Sequence, residues 1–115
     1  MRNREASLQA EIVAWIRAAA PQCITFAVLN DGLYSKPEAS KRRWMGLLAG
    51  VPDLVVIAPG GKAHHLEVKA PGGALSPEQR SVIGKLCTLE APVAVVKNLD
   101  EAQAALKQWG IDLQV

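Results

Sequence analysis

The chain has 115 residues and a mass of 12.3 kDa, half of it hydrophobic and 21% charged. That is enough for one globular domain spanning 1–115 and excludes a disordered chain or an appended module. A net charge of +2 with a pI near 8.7 neither demands nor excludes a polyanionic partner, so any such surface has to come from local clustering. The charged start, Arg2 to Glu5, has no apolar segment behind it, and no apolar run reaches the ~18 residues of a membrane span, so neither secretion nor a spanning helix is supported and a cytoplasmic protein is expected.

From Ser7 to Ala20 the apolar residues Leu8, Ile12, Trp15, Ile16 and Ala19 recur at helical spacing, and Pro21 closes the helix. Glu11 interrupts that pattern three residues after Leu8 and four before Trp15, which puts it on the inward side, where an unpaired carboxylate is costly. Either its head reaches solvent or an arginine, or it serves a site. Cys23 to Leu29 has strand composition and runs into the turn signal Asn30-Asp31-Gly32. Asn30 suits that turn and is a secondary candidate for facing a site. Cys23 and Cys87 show neither CxxC nor metal-type spacing and read as reduced thiols.

Leu33 to Leu48 is less regular and sets Lys36, Lys41, Arg42 and Arg43 against the single acid Glu38. Pro37 followed by Glu38-Ala39-Ser40 fits a helix start, which would carry these cations toward Trp44. Charge runs are usually solvated faces. Cations beside an aromatic also suit a phosphate backbone with a base stacked nearby, with Tyr34 and Trp44 as stacking candidates unless Trp44 belongs to the core.

Leu54 to Ala58 is a short, β-branched run that ends in the turn Pro59-Gly60-Gly61, and Ala63 to Lys69 is a second β-prone run, so the two predict a hairpin. Alternation puts Glu67 and Lys69 on one side of the second strand and Leu66 and Val68 on the other. The turn folds Asp53, at the start of the first strand, back toward them. Two carboxylates and an ammonium at one end of a hairpin are either a solvated strand face or a site for a divalent cation; magnesium favours one or two carboxylates with water and phosphate oxygens.

Beyond the loop Ala70 to Gly73, Ser76-Pro77-Glu78-Gln79 opens a helix with a capping box, Ser76 as cap and Gln79 at its third position. The same helix start offers N–H groups and a positive dipole end to a phosphate. Val93 to Val96 reads as a buried strand. Asn98-x-x-Glu101 forms another box before a helix with Ala102, Ala105, Leu106 and Trp109 on one side, and Gly110 stops it. His64 and His65 match no metal spacing.

Pro52-Asp53 followed by Glu67-Val68-Lys69 resembles the PD-(D/E)xK nuclease signature. With Gly46, Gly50 and the stretch Gly73-x-Leu75-Ser76-x-x-Gln79 it resembles, within that superfamily, the VRR-NUC family, over most of the chain from about Glu5 to the last helix. The resemblance implies an α/β fold, a restriction-endonuclease-like αβββαβ core with a mixed sheet flanked by helices, in agreement with the order of elements above. It implies a Mg²⁺- or Mn²⁺-dependent endonuclease with Asp53, Glu67, Lys69 and Gln79 as catalytic residues. It also implies a metal held by Asp53, Glu67, the Val68 carbonyl and an acid on the first helix. Glu11 matches that acid best, Glu5 lying too close to the chain start. Lys36, Lys41, Arg42, Arg43, Trp44 and Ser76 are then the DNA-binding residues. Stand-alone members of this size resemble resolvases of four-way junctions, so the expected partners are branched or duplex DNA and a second copy of the chain. A non-catalytic DNA-binding module on the same scaffold is the competing expectation.

Overall fold

The computed structural model describes residues 4–28 and 35–114. Asn30 and Tyr34 lie outside them. The elements run α1 (Arg4–Ala19), β1 (Ile24–Ala27), α2 (Lys36–Trp44), β2 (Leu54–Ile57), β3 (Ala63–Val68), α3 (Pro77–Thr88), β4 (Val93–Val96) and α4 (Leu99–Gln108). They build a restriction-endonuclease-like α/β core, a four-stranded mixed sheet in the order β1-β2-β3-β4 flanked by helices. The Pro59-Gly60-Gly61 turn makes β2 and β3 an antiparallel pair, Leu54 opposite Leu66, and β1 joins β2 antiparallel. β4 lies parallel to β3 because the chain first crosses through α3.

The core lies on one face of this sheet. Leu54 and Val56, Leu66 and Val68, and Val96 point down from the strands onto Ile12 and Ile16 of α1 and Ala102, Ala105 and Leu106 of α4, all buried. The alternation that sends those residues inward turns Val55, His65 and Glu67 toward the opposite face. There α3 covers the sheet, although none of its residues is fully buried. His64 belongs to the core: its Nδ1 lies 3.1 Å from the Val56 carbonyl oxygen, and its ring centroid is 5.0 Å from that of Trp109. Cys23 and Cys87 are free thiols.

The helix starts follow their caps. Ser35 caps α2 in a full capping box with Glu38, a signal just ahead of the Pro37 on which the sequence reading rested. Asn98 caps α4 through Glu101 N–H at 2.8 Å, but the Glu101 carboxylate turns to the Lys97 amide, also at 2.8 Å, so the expected second box closes one residue early. Gly110, at φ +77°, takes the left-handed position that ends α4. Among the described residues no helix is long and apolar enough to cross a membrane.

Candidate active site

Because β2 begins where β3 ends, the hairpin brings Asp53 beside the Glu67–Lys69 segment. Asp53 Oδ2 accepts the Val68 backbone N–H at 2.8 Å, closing the end of the ladder with a side chain. Glu67 sits on the central part of the sheet and is 1% exposed; Lys69 is 8% exposed. Those values dispose of the solvated strand face. The Lys69 ammonium lies 3.9 Å from Glu67 Oε2.

Gln79 serves the helix and the site at once. Its Oε1 accepts the Ser76 N–H at 2.8 Å while its Nε2 donates to Glu67 Oε2 at 3.0 Å. The capping box therefore fixes the amide so that its donor end points at the carboxylate. The same box consumes the helix start: the Gln79 amide goes to Ser76 Oγ, the Arg80 amide to the Ser76 carbonyl, and Pro77 has none. Little of the α3 N-terminus is left for a phosphate, contrary to the expectation from its dipole.

Gly50 is what lets α3 dock here. It has φ +92°, and a Cβ at this position would overlap the Glu78 carbonyl. The Gly50-Val51-Pro52 approach to Asp53 and the first turn of α3 therefore touch backbone to backbone. Gly50→Ala is expected to destabilise the fold by about 2 kcal/mol or more, through a left-handed backbone and a clash with main chain together. Urea denaturation measures it, and a midpoint equal to that of the parent would show that the contact is not tight.

Of the two acids on α1, the structure brings Glu5 closer to the cluster than Glu11, the residue expected there. Glu11 is exposed, whereas Glu5 is half-buried and its charge reaches both Asp53 and Glu67. Glu5 also lies beside the Ala70–Gly73 turn, its Oε2 3.4 Å from where a Cβ on Gly73 would stand. The buried stripe of α1 is Ile12, Ile16 and Ala19. Extended backward by helical steps it passes through Leu8 and arrives at Glu5; Glu11 is one residue, about 100°, off that line.

Burial, then the neighbouring Asp53, pushes the Glu67 carboxyl up to about 8, with Lys69 acting in the opposite sense. Asp53 is also raised, by burial above all, with the Val68 amide opposing the shift. Without a compensating cation the pair therefore keeps a proton near neutral pH. Glu67 Oε1 is buried with no N–H or O–H group donating to it, and its carboxyl can bond Asp53 only through the proton the pair retains. Among the described residues no group of three His, Cys, Asp or Glu side chains is arranged to hold a metal, so the side-chain donors for an ion are the two carboxylates, with Glu5 as an outlying third charge. A buried oxygen that no protein donor reaches, in a set of hard oxygen ligands, fits a divalent cation of the magnesium type.

The nucleic-acid candidates divide. Lys36, Lys41, Arg42 and Arg43 are exposed on α2, and Trp44 is 86% exposed, which settles that it is not core. α2 buries only Ala39. Ser76 is instead tied into the capping box.

The VRR-NUC domain, a nuclease-type DNA-processing module, matches this chain over residues 2–98. Solved structures share its fold, two of which illustrate the likeness. One, described as a VRR_NUC domain, is 19% identical with a TM-score of 0.68, the match covering 94% of this chain and 99% of that one. The other, a VRR_NUC domain protein, is 21% identical with a TM-score of 0.71, covering 97% of this chain and 93% of that one. Among proteins of curated function none matches the sequence.

Proposed function

This chain belongs to the VRR-NUC family, and on that premise we propose that it is a metal-dependent DNA endonuclease that hydrolyses phosphodiester bonds, selective for branched DNA in the manner of a four-way-junction resolvase. The observation that carries the reading is the buried Oε1 of Glu67, which no protein donor reaches, beside Asp53 and Lys69. A carboxylate held this way is expensive as a purely structural device, since it gains neither full pairing nor hydration. It is what a ligand to a cation looks like.

Asp53, Glu67 and the Val68 carbonyl would hold Mg²⁺ or Mn²⁺, with Glu5 in the outer role expected of Glu11. When bound, such an ion supplies charge relief at the phosphoryl oxygens and makes water more acidic. The chain's own residues do the rest. Lys69, nearly buried at the edge of the cluster, orients the attacking water and stabilises the charge that develops on the phosphoryl group. Gln79 keeps Glu67 in one rotamer. The exposed cations of α2, with Trp44, draw the DNA backbone to the protein. Two copies of the chain would present two such sites to a junction.

Cleavage of matched single strand, duplex, flap and four-way junction with Mg²⁺ or Mn²⁺ tests this, with light scattering for the dimer. Symmetric paired nicks on the junction are the expected result. Cutting without junction preference would retain the nuclease and remove the resolvase, and binding without cutting in either metal would leave a non-catalytic DNA-binding module. The acid on α1 has its own test. Glu5→Gln should lower turnover at limiting Mg²⁺ by about 10–100-fold, as loss of an outer partner to a metal site does, and Glu11→Gln should leave it unchanged. Equal effects from the two would return the role to neither.

A further inference from the structure

A groove of about 820 Å³ opens beside the catalytic cluster, between α3 and α4 over the outer edge of β4, and Lys69 forms part of its wall. Its other charged lining residues are Arg80 from α3, Lys97 at the end of β4 and Glu101 from α4. Arg80 and Lys97 are exposed, while the one acid, Glu101, is committed through its Oε1 to the Lys97 backbone amide. The groove thus presents three cations against one carboxylate, Glu101, whose Oε1 is turned to a backbone amide, over an apolar surface that includes Leu75 and Val95.

We propose that this groove holds a single polynucleotide strand adjoining the scissile phosphate, with Arg80 and Lys97 as its phosphate contacts. The inference rests on the nuclease reading above and adds a contact to it: a strand that is unpaired, or that opens at the branch point of a junction, beside the cleaved phosphate. Size argues for one strand, because the volume is that of a pocket for a drug-sized ligand, room for a few nucleotides and not for a duplex. Charge argues for phosphate: Lys69, Arg80 and Lys97 line one concavity against the single acid Glu101, a net positive lining of the kind that tracks a nucleic-acid backbone. Among the described residues no aromatic lines it, so the contacts argued here are to the backbone and are indifferent to sequence. The α2 cluster is not part of this groove and serves a different portion of the substrate.

The test is fluorescence anisotropy with the Glu67→Gln protein in Mg²⁺, on a blunt duplex and on the same duplex carrying a roughly ten-nucleotide dT tail at its 5′ or 3′ end, a length within the usual single-strand site size. One of the two tails is expected to tighten binding severalfold. Adding Arg80→Gln and Lys97→Gln should remove that gain and lower the salt slope for the tailed DNA by about 1.4, at about 0.7 per contact on single strands. Blunt-duplex affinity and melting temperature should stay as in the Glu67→Gln parent. A blunt duplex that binds with no gain from either tail overturns the groove alone. A gain that survives both substitutions also overturns it, and leaves the edge of β4 to another occupant, such as a polypeptide strand. If no DNA binds in any form, the nuclease reading fails and the groove with it.

Discussion

Glu67→Gln should reduce cleavage by about 10³-fold or more while the folded protein becomes more stable in the absence of metal. The two effects have one cause. Glutamine keeps the shape of the side chain and an oxygen able to accept the Gln79 Nε2 bond seen at 3.0 Å, but it removes the negative charge. Catalysis loses a cation ligand and the partner of Lys69, which lies 3.9 Å away; loss of one such electrostatic group ordinarily costs about 10²–10³ in rate, and here two functions fall together. Stability gains because a side chain 1% exposed no longer has either to take up a proton from neutral solution or to ionise beside Asp53. A purely structural ion pair predicts the reverse sign, since breaking it leaves Lys69 buried without a partner. Single-turnover cleavage and thermal denaturation in chelator, run on the same preparation, measure both. Normal cleavage by the variant would end the assignment, and so would a lower melting temperature combined with unchanged DNA cutting. Lys69→Ala should lose activity comparably, but with a fall in stability, because it strips the two carboxylates of their nearest cation.

Most of this site was legible before any coordinates because its parts are local. A Pro-Gly-Gly turn between two β-prone runs determines that Asp53 returns to Glu67 and Lys69, and alternation separates those two from Leu66 and Val68. The caps were readable for the same reason, as Ser76 and Gln79 are three residues apart and need no tertiary information. What the residues could not show by pattern alone was a choice between two acids on α1. Glu11 and Glu5 both fall near the apolar spacing, and Trp15, only partly buried, widened the apparent stripe enough to admit Glu11. The fully buried Ile12, Ile16 and Ala19 narrow it and exclude that residue. The line that leads to Glu5 is therefore the one through Ala19, Ile16, Ile12 and Leu8, not through every apolar position. The double use of Gln79 came from the family resemblance and not from the residue pattern. Its capping role was a complete explanation in sequence, and only the docking of α3 on Gly50 shows the amide's other end reaching Glu67.

The metal-free protein should lose stability as pH rises from about 5 to about 8, and Mg²⁺ should reverse that loss. Burial beside Asp53 holds the Glu67 carboxyl up at about 8, above the ~4.3 of a glutamate in an unfolded chain. The folded state therefore binds the proton more tightly. Its contribution is fully present below the unfolded value, declines through the interval, and is gone once pH passes the folded value. Asp53, also raised, acts in the same direction. A divalent cation prefers the ionised pair, so its stabilisation should grow over the same interval: at a hundredfold excess over its dissociation constant it contributes about 2.7 kcal/mol. For a domain of this size that is roughly 10 °C in melting temperature. Melting curves at pH 5, 6.5 and 8, with EDTA or with Mg²⁺, decide it. The separation between the two series should be small at pH 5 and largest at pH 8, and it should shrink in Glu67→Gln, which has no proton to exchange for the cation. A metal-free protein that gains stability across this range, or a Mg²⁺ effect equal in the variant and the parent, would remove Glu67 from the cation site and leave its buried oxygen without a function.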